Sequence, residues 1–276
     1  MKHWTRMIAA GVISVMAGNV AAAESLVVPN FTYRTGPFAA TGIPLMNGQR
    51  DYFEMLNARD GGVGGIEVEF IECETGYSTE KGLECHERTK DRAVVTQPWS
   101  TGITLQVLSK TNVDQIPILA PGYGFSPMSD GTTFHWAFNP PASYWDGMSM
   151  ILQAISDGDL SNLSGKKIAH LHLDHPYGKE PLPLLEAMGA QYGFEVLPIP
   201  VGISEMQNQS AQWLQIRRER PDFVTMWGWG AMNAGAITEA IKTRYPMDQF
   251  VGIWWSGHSD DLQLVGEEGK GYRAIT

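Results

Sequence analysis

The chain has 276 residues, of which 43% are hydrophobic and 18% charged, a balance that excludes a disordered polypeptide. Its formal charge of −10 excludes a general polyphosphate-binding surface and a polybasic membrane-binding face, since both need clustered Lys and Arg. No nucleic acid is expected as a partner, and length alone favours about two domains.

The first 23 residues are expected to be a leader rather than fold. Lys2 and Arg6 precede a mostly apolar run from Met7 to Gly18, and Ala21-Ala22-Ala23 supplies small residues for cleavage before Glu24. The competing reading is a short transmembrane anchor, but an apolar run of about 12 residues is too short to span. No Cys sits at the cleavage point to carry a lipid. The mature chain from residue 24 is expected to be exported and soluble, with no direct insertion into a membrane.

Strand and helix patterns then alternate. Leu26-Val27-Val28 opens a strand. Leu45, Tyr52, Phe53 and Leu56 fall at helical spacing over 44–58, and Asp60-Gly61-Gly62 ends that helix. A strand is predicted at 67–71, a helix at 78–90, a strand at 93–95 and a helix from Ser100. Strands follow at 117–120 and 134–138. Phe138-Asn139-Pro140-Pro141 interrupts the series and marks a crossing between two lobes. Met148, Ile151, Leu152 and Ile155 form a helical stripe. Strands at 167–173, 194–199, 222–227 and 250–254 alternate with helices at 178–192, 207–219 and 231–244. Such β-α repetition defines an α/β fold with parallel sheets flanked by helices. The Gly271-Tyr272-Arg273-Ala274-Ile275-Thr276 ending has the look of a strand start, so a longer protein is expected.

Export bears on the two cysteines. An oxidising compartment favours a disulfide between Cys73 and Cys85, with a metal pair or two free thiols as alternatives.

Ligands of open parallel sheets bind beyond the carboxyl ends of the strands. Glycines and aromatic rings gather there: Tyr33, Pro98-Trp99-Ser100-Thr101, Gly122-Tyr123-Gly124, Tyr177-Gly178, Trp227-Gly228-Trp229 and Trp254-Trp255. The pattern predicts a cleft lined by aromatic faces. Ser100 is placed to cap its helix, where free N–H groups attract a carboxylate. A plain helix cap is the alternative for Ser100, and core packing is the alternative for each Trp taken alone.

His170-Leu171-His172-Leu173-Asp174-His175 matches a zinc-hydrolase pattern, in which metal-bound water would be the nucleophile. Only His258 follows it as a further histidine ligand, and the motif lies inside the β-α series. No phosphate loop and no nucleophile elbow are present. Asp260-Asp261 reads as a helix start. No catalytic residue, metal or cofactor is expected.

Several segments together resemble one family. They are Thr35-Gly36-Pro37-Phe38-Ala39-Ala40-Thr41-Gly42, Asn47-Gly48, Leu56-Asn57-Ala58-Arg59-Asp60-Gly61-Gly62-Val63-Gly64-Gly65, Pro98-Trp99-Ser100-Thr101-Gly102, Tyr177-Gly178-Lys179-Glu180 and Gly266-Glu267-Glu268-Gly269-Lys270-Gly271-Tyr272. In this order they resemble the periplasmic substrate-binding proteins of branched-chain amino acid type ABC transporters, the Leu/Ile/Val-binding family. The resemblance implies a type I periplasmic-binding fold with lobe 1 at 24–139, lobe 2 at 140–248 and a return to lobe 1 at 249–276. It implies a non-catalytic, periplasmic protein that closes on a small molecule and docks on a permease. It assigns Ser100 and Thr101 to the ligand carboxylate, and Gly122 and Tyr123 to a second loop on its polar head. Tyr33 lies by the first loop. Tyr177 and Trp229 would cover the ligand, Trp99 would line its side-chain pocket, and Tyr144 is added at a helix start.

One departure bears on specificity. The family's amino-acid binders carry an acid near the end of the 250–254 strand, where this chain has Trp254. Only a cation–π contact would then face an ammonium. An aromatic or amphipathic organic acid is therefore expected rather than an aliphatic amino acid. A zinc hydrolase and the sensing module of a signalling receptor are the rival functions.

Overall fold

The computed structural model describes residues 25–123 and 125–276. The expected leader lies outside the described residues. Strands β1 (Leu26–Thr32), β2 (Val68–Glu74) and β3 (Gln97–Pro98) form a parallel sheet in the order β2-β1-β3. Helices α1 (Ala39–Asp60), α2 (Thr79–Thr89) and α3 (Thr101–Asp114) alternate with them, and β4 (Ile118–Leu119) pairs in parallel with β5 (Ala137–Phe138). Gly61, at φ 69°, ends α1 in the left-handed conformation predicted for it. The strand predicted at 93–95 is reduced to a bridge between Val27 and Ala93, and pairing with β1 resumes at Gln97–Pro98. Val94 is 44% exposed, so its apolar side chain does not hold that stretch against the core.

Cys73 of β2 and Cys85 of α2 form a disulfide with their Cα atoms 5.9 Å apart. It ties the helix to the strand in a lobe core that includes Phe31, Ile103, Val107 and Ile118. Replacing both cysteines by Ala is expected to lower unfolding free energy by about 2–4 kcal/mol, read from urea midpoints. An unchanged midpoint would show that the bridge constrains nothing.

The second sheet has the order β10-β9-β8-β6-β7, all parallel. Its strands are β6 (Lys167–Leu173), β7 (Glu195–Val201), β8 (Phe223–Trp227), β9 (Phe250–Gly252) and β10 (Arg273–Ala274). Around it lie α4 (Tyr144–Ile155), α5 (Pro176–Lys179), α6 (Leu182–Tyr192), α7 (Ser210–Glu219) and α8 (Ala231–Lys242). From Ile168 to Leu173 every residue of β6 is buried, as befits a central strand covered on both faces. The helix expected at 178–192 is split around Pro181, which lacks an N–H to continue the first turn. The segment 249–276 differs from the expectation of a return to lobe 1. Val251 pairs with Thr225 and Arg273 pairs with Val251, so both strands extend the second sheet. A further β-α-β crossover on the same sheet needs no change of lobe.

Candidate ligand-binding site

The aromatic residues singled out by their positions after strands meet in one cluster that spans both sheets. From the first lobe, Tyr33 packs edge-on to Tyr77 at 5.1 Å and Trp99 edge-on to Tyr123 at 5.4 Å. From the second, Tyr144 contacts Tyr177, Trp227 and Trp254, the last stacked at 5.7 Å. Two contacts close the seam: Tyr123 with Trp255 at 4.6 Å, and Tyr77 with His175 at 5.3 Å. The expected open crevice is thus filled at its centre. Tyr33, Trp99, Tyr123, Tyr144 and Tyr177 are all buried, while Trp229 and Trp254 are partly exposed at its margin.

Backbone geometry sets these rings. Gly122 sits at φ 67°, and a Cβ there would meet the Trp254 indole at 2.9 Å. Its carbonyl accepts a hydrogen bond from Trp255 Nε1 at 2.9 Å, joining the β4 loop to the turn after β9. Gly230, at φ 60°, lets the start of α8 approach Phe38 and Thr41 of the first lobe. The Tyr177 hydroxyl donates to the Gly228 carbonyl at 3.0 Å, and Ser256 Oγ bonds the same residue. A second link between lobes runs from the Ser126 N–H to Glu180 Oε1 at 2.8 Å.

Ser100 caps α3, its Oγ accepting from the Ile103 N–H at 3.4 Å. Thr101 follows, fully buried, with an Oγ1 that has no well-aligned partner among the described residues. A Cβ on Gly102 would lie 3.1 Å from the His175 ring, so this imidazole of the second lobe covers the α3 N-terminus. Burial lowers the His175 pKa to about 4, with Lys179 adding to the effect, and the ring is neutral at pH 7. Around this point, among the described residues, four donor-bearing groups lack a well-aligned hydrogen-bond partner: Trp99 Nε1, Thr101 Oγ1, the Tyr144 hydroxyl and Trp229 Nε1. The Tyr33 and Tyr123 hydroxyls bond each other at 2.9 Å. Burial drives the pKa values of Tyr33, Tyr123, Tyr144 and Tyr177 upward, so all remain neutral donors.

Beside the cluster is a cavity of about 470 Å³ between α1 and the 254–261 segment. Trp229, Trp254 and Trp255 wall it on one side, and Thr41 and Leu45 on the other. Asp260, Asp261, His258 and Asn233 also line it. Sequence reasoning passed over Tyr77 and gave Asp261 no part in a site. Tyr77 follows Gly76 beyond the end of β2, the same signal that marked the other loops. Trp255 lines the cavity beside Trp254, where the strand-end pattern placed it. Asp261 stands in the first turn of a 3-10 helix (Ser259–Leu262), as its helix-start reading expects, and its carboxylate also accepts from Asn233 Nδ2 at 2.9 Å.

The zinc pattern does not assemble. His170 and His172 stack on each other at 5.2 Å inside the second sheet. His170 bonds Thr225 Oγ1 and the Gly178 carbonyl, and its pKa is lowered to about 3, mainly by burial. His172 bonds the Leu173 carbonyl, and Asp174 pairs with Lys179 at 2.5 Å. Among the described residues no group of three or more His, Cys, Asp or Glu is placed to hold a metal ion. This overturns the hydrolase alternative, because alternate β6 positions that share a face turn their rings into packed core. Among the described residues no helix is long and apolar enough to cross a membrane.

The two lobes and the cleft between them are those of a bilobal α/β binding protein. A model of the periplasmic binding protein family matches residues 25–276, and the chain belongs to that family. The match begins next to the expected cleavage before Glu24. A solved structure described as an ABC transporter permease from the Pseudomonas fluorescens group is 35% identical, with a TM-score of 0.76. The similarity covers 92% of this chain and 62% of that one. A branched-chain amino acid ABC transporter protein from Thermus thermophilus with bound valine is 20% identical (TM-score 0.77; 90% and 63% covered). A solute-binding protein from R. palustris in complex with benzoate is 18% identical (TM-score 0.73; 91% and 68% covered). The latter two likenesses carry the fold alone. The chain therefore spans less than two thirds of the first of these structures. No curated protein sequence matches the chain.

Proposed function

We propose that this protein is the exported, periplasmic solute-binding component of an ABC importer, and that it binds a small organic acid without altering it. One observation carries the reading. Buried hydroxyl and indole groups on both lobes, Trp99, Thr101, Tyr144 and Trp229, present hydrogen-bonding capacity that no well-aligned partner among the described residues fills, although Thr101 and Trp255 lie near the Tyr144 hydroxyl and Trp229 near that of Tyr33. Leaving such groups unpaired costs about 1–3 kcal/mol each, and an acceptor-rich ligand removes that cost. A carboxylate at the α3 N-terminus meets Ser100 and Thr101 together with a favourable helix dipole. Gly122, Tyr123 and Tyr33 would frame the polar head, and Tyr177 and Trp254 would cover the body.

The aromatic walls favour an aromatic or amphipathic acid over an aliphatic amino acid. Similar folds hold benzoate in one case and valine in another. A ligand touching Thr101 of one lobe and Tyr144 of the other is held fully only when the lobes meet, so binding shifts the population towards closure. The closed form would dock on the permease.

A thermal-shift panel of benzoate, phenylacetate, leucine and valine tests this. Stabilisation by the aromatic acids, reduced about tenfold in apparent affinity by Thr101→Val, is the expected result. Stabilisation by leucine or valine alone would overturn the ligand class, and stabilisation by none of several hundred small acids would overturn the role.

A further inference from the structure

The cavity beside the aromatic cluster has a chemistry of its own. Its charged lining is acidic: Asp260 and Asp261 face it, no Lys or Arg does, and the first-lobe wall is Ala40, Thr41, Pro44 and Leu45. The remaining titratable group, His258, is 3.4 Å from Asp260 and largely exposed. Among the described residues no Lys or Arg pairs with Asp261, which is held by the Asn233 amide and has His258 as its nearest basic neighbour. Asn233 itself is only 2% exposed, and its Oδ1 has no partner among the described residues. Burial, set against that hydrogen bond, raises the Asp261 pKa to about 6. A half-buried carboxylate facing three indoles has no Lys or Arg as counter-charge, and indole faces attract cations.

We propose that this cavity is a subsite for an alkylammonium group, preferably quaternary, paired with Asp261 and seated on Trp229, Trp254 and Trp255. The proposal rests on the acid-binding reading for the other end of the ligand. Trp254 stacks on Tyr144 with one part of its surface and lines the cavity with another. The indole therefore stands between the two ends, and the cation must be several bonds from the carboxylate rather than on the adjacent carbon. The ligand class is an acid with a terminal ammonium, its middle lying along aromatic faces.

Two acids of the same shape separate charge from bulk: 4-(trimethylammonio)butyrate and its neutral isostere 5,5-dimethylhexanoate. Titration calorimetry of the purified protein, with indole emission followed in parallel, is expected to show the charged acid binding at least about tenfold tighter, from one desolvated cation–π and ion-pair contact. Asp261→Asn, which keeps an acceptor for Asn233, is expected to erase that preference. Equal affinity of the two acids in the wild-type protein would overturn the cation subsite and leave the acid-binding reading standing. Binding of tetramethylammonium chloride alone, with neither acid bound, would retain the subsite and sink the acid-binding reading. Absence of binding by all three probes would overturn the inference. So would a preference that survives both Asp261→Asn and Asp260→Asn.

Discussion

Tyr144→Ala is expected to lower unfolding free energy by about 3–5 kcal/mol, while Tyr144→Phe leaves stability unchanged or raises it by up to about 1 kcal/mol. The ring lies at the centre of the seam, edge-on to Tyr177 and Trp227 and stacked on Trp254. It is 1% exposed, so truncation leaves a cavity that both lobes border. The hydroxyl is a different matter. Thr101 and Trp255 are its polar neighbours, yet it makes no hydrogen bond of good geometry. Removing it relieves an unpaired buried group in the empty protein and deletes a contact in the occupied one. Phe should therefore weaken ligand binding by about five- to tenfold at undiminished stability. Urea unfolding and calorimetric titration of both variants measure the two effects. A Phe variant destabilised by more than about 2 kcal/mol would mean that the hydroxyl is satisfied within the protein. The case for a ligand there would then fall.

Glu180→Gln is expected to stabilise the protein by about 2–3 kcal/mol at pH 8 and to make no difference at pH 4. Burial raises the Glu180 pKa from its ordinary 4.5 to about 7, against the opposing hydrogen bonds from Ser126. Oε1 accepts the Ser126 N–H, and Oε2 has no partner among the described residues. Below pH 4.5 the carboxyl is protonated in folded and unfolded chains alike. Between 4.5 and 7 the unfolded chain ionises first, so the stabilisation present at low pH is lost as pH rises through about 7. That window is worth about 3 kcal/mol at most, since the group is not wholly withdrawn from water. Gln keeps the acceptor for Ser126 and removes the titration. Melting temperatures of both proteins from pH 4 to 8 measure the difference. Parallel curves would show that Glu180 is already ionised without penalty.

Much of the architecture could be read from local pattern. The alternation that placed strands at 167–173 and 222–227 arises from side-chain periodicity over a few residues. Gly61 and Ser100 announced a helix end and a helix start by their own backbone and side-chain chemistry. Strand ends then pointed to Tyr33, Trp99, Tyr123, Tyr177, Trp229 and Trp254, because parallel sheets expose those ends on one edge. The split of one helix at Pro181 was equally local and was passed over.

Other features depend on segments far apart in the chain. Whether His170 and His172 held a metal or packed as core turned on Thr225 and Gly178, which reach them only in the folded sheet. The fate of 249–276 turned on which sheet offered a free edge, a matter of global topology that no short window contains. The Trp255 hydrogen bond to Gly122 spans 133 positions. The acidic cavity needs α1 of the first lobe to lie against the 254–261 turn of the second. Periodicity and caps are settled by neighbours along the backbone, so they survive in a linear string. Charge balance, burial and unpaired polar atoms are sums over everything within a few ångströms, and they come into being when the lobes pack.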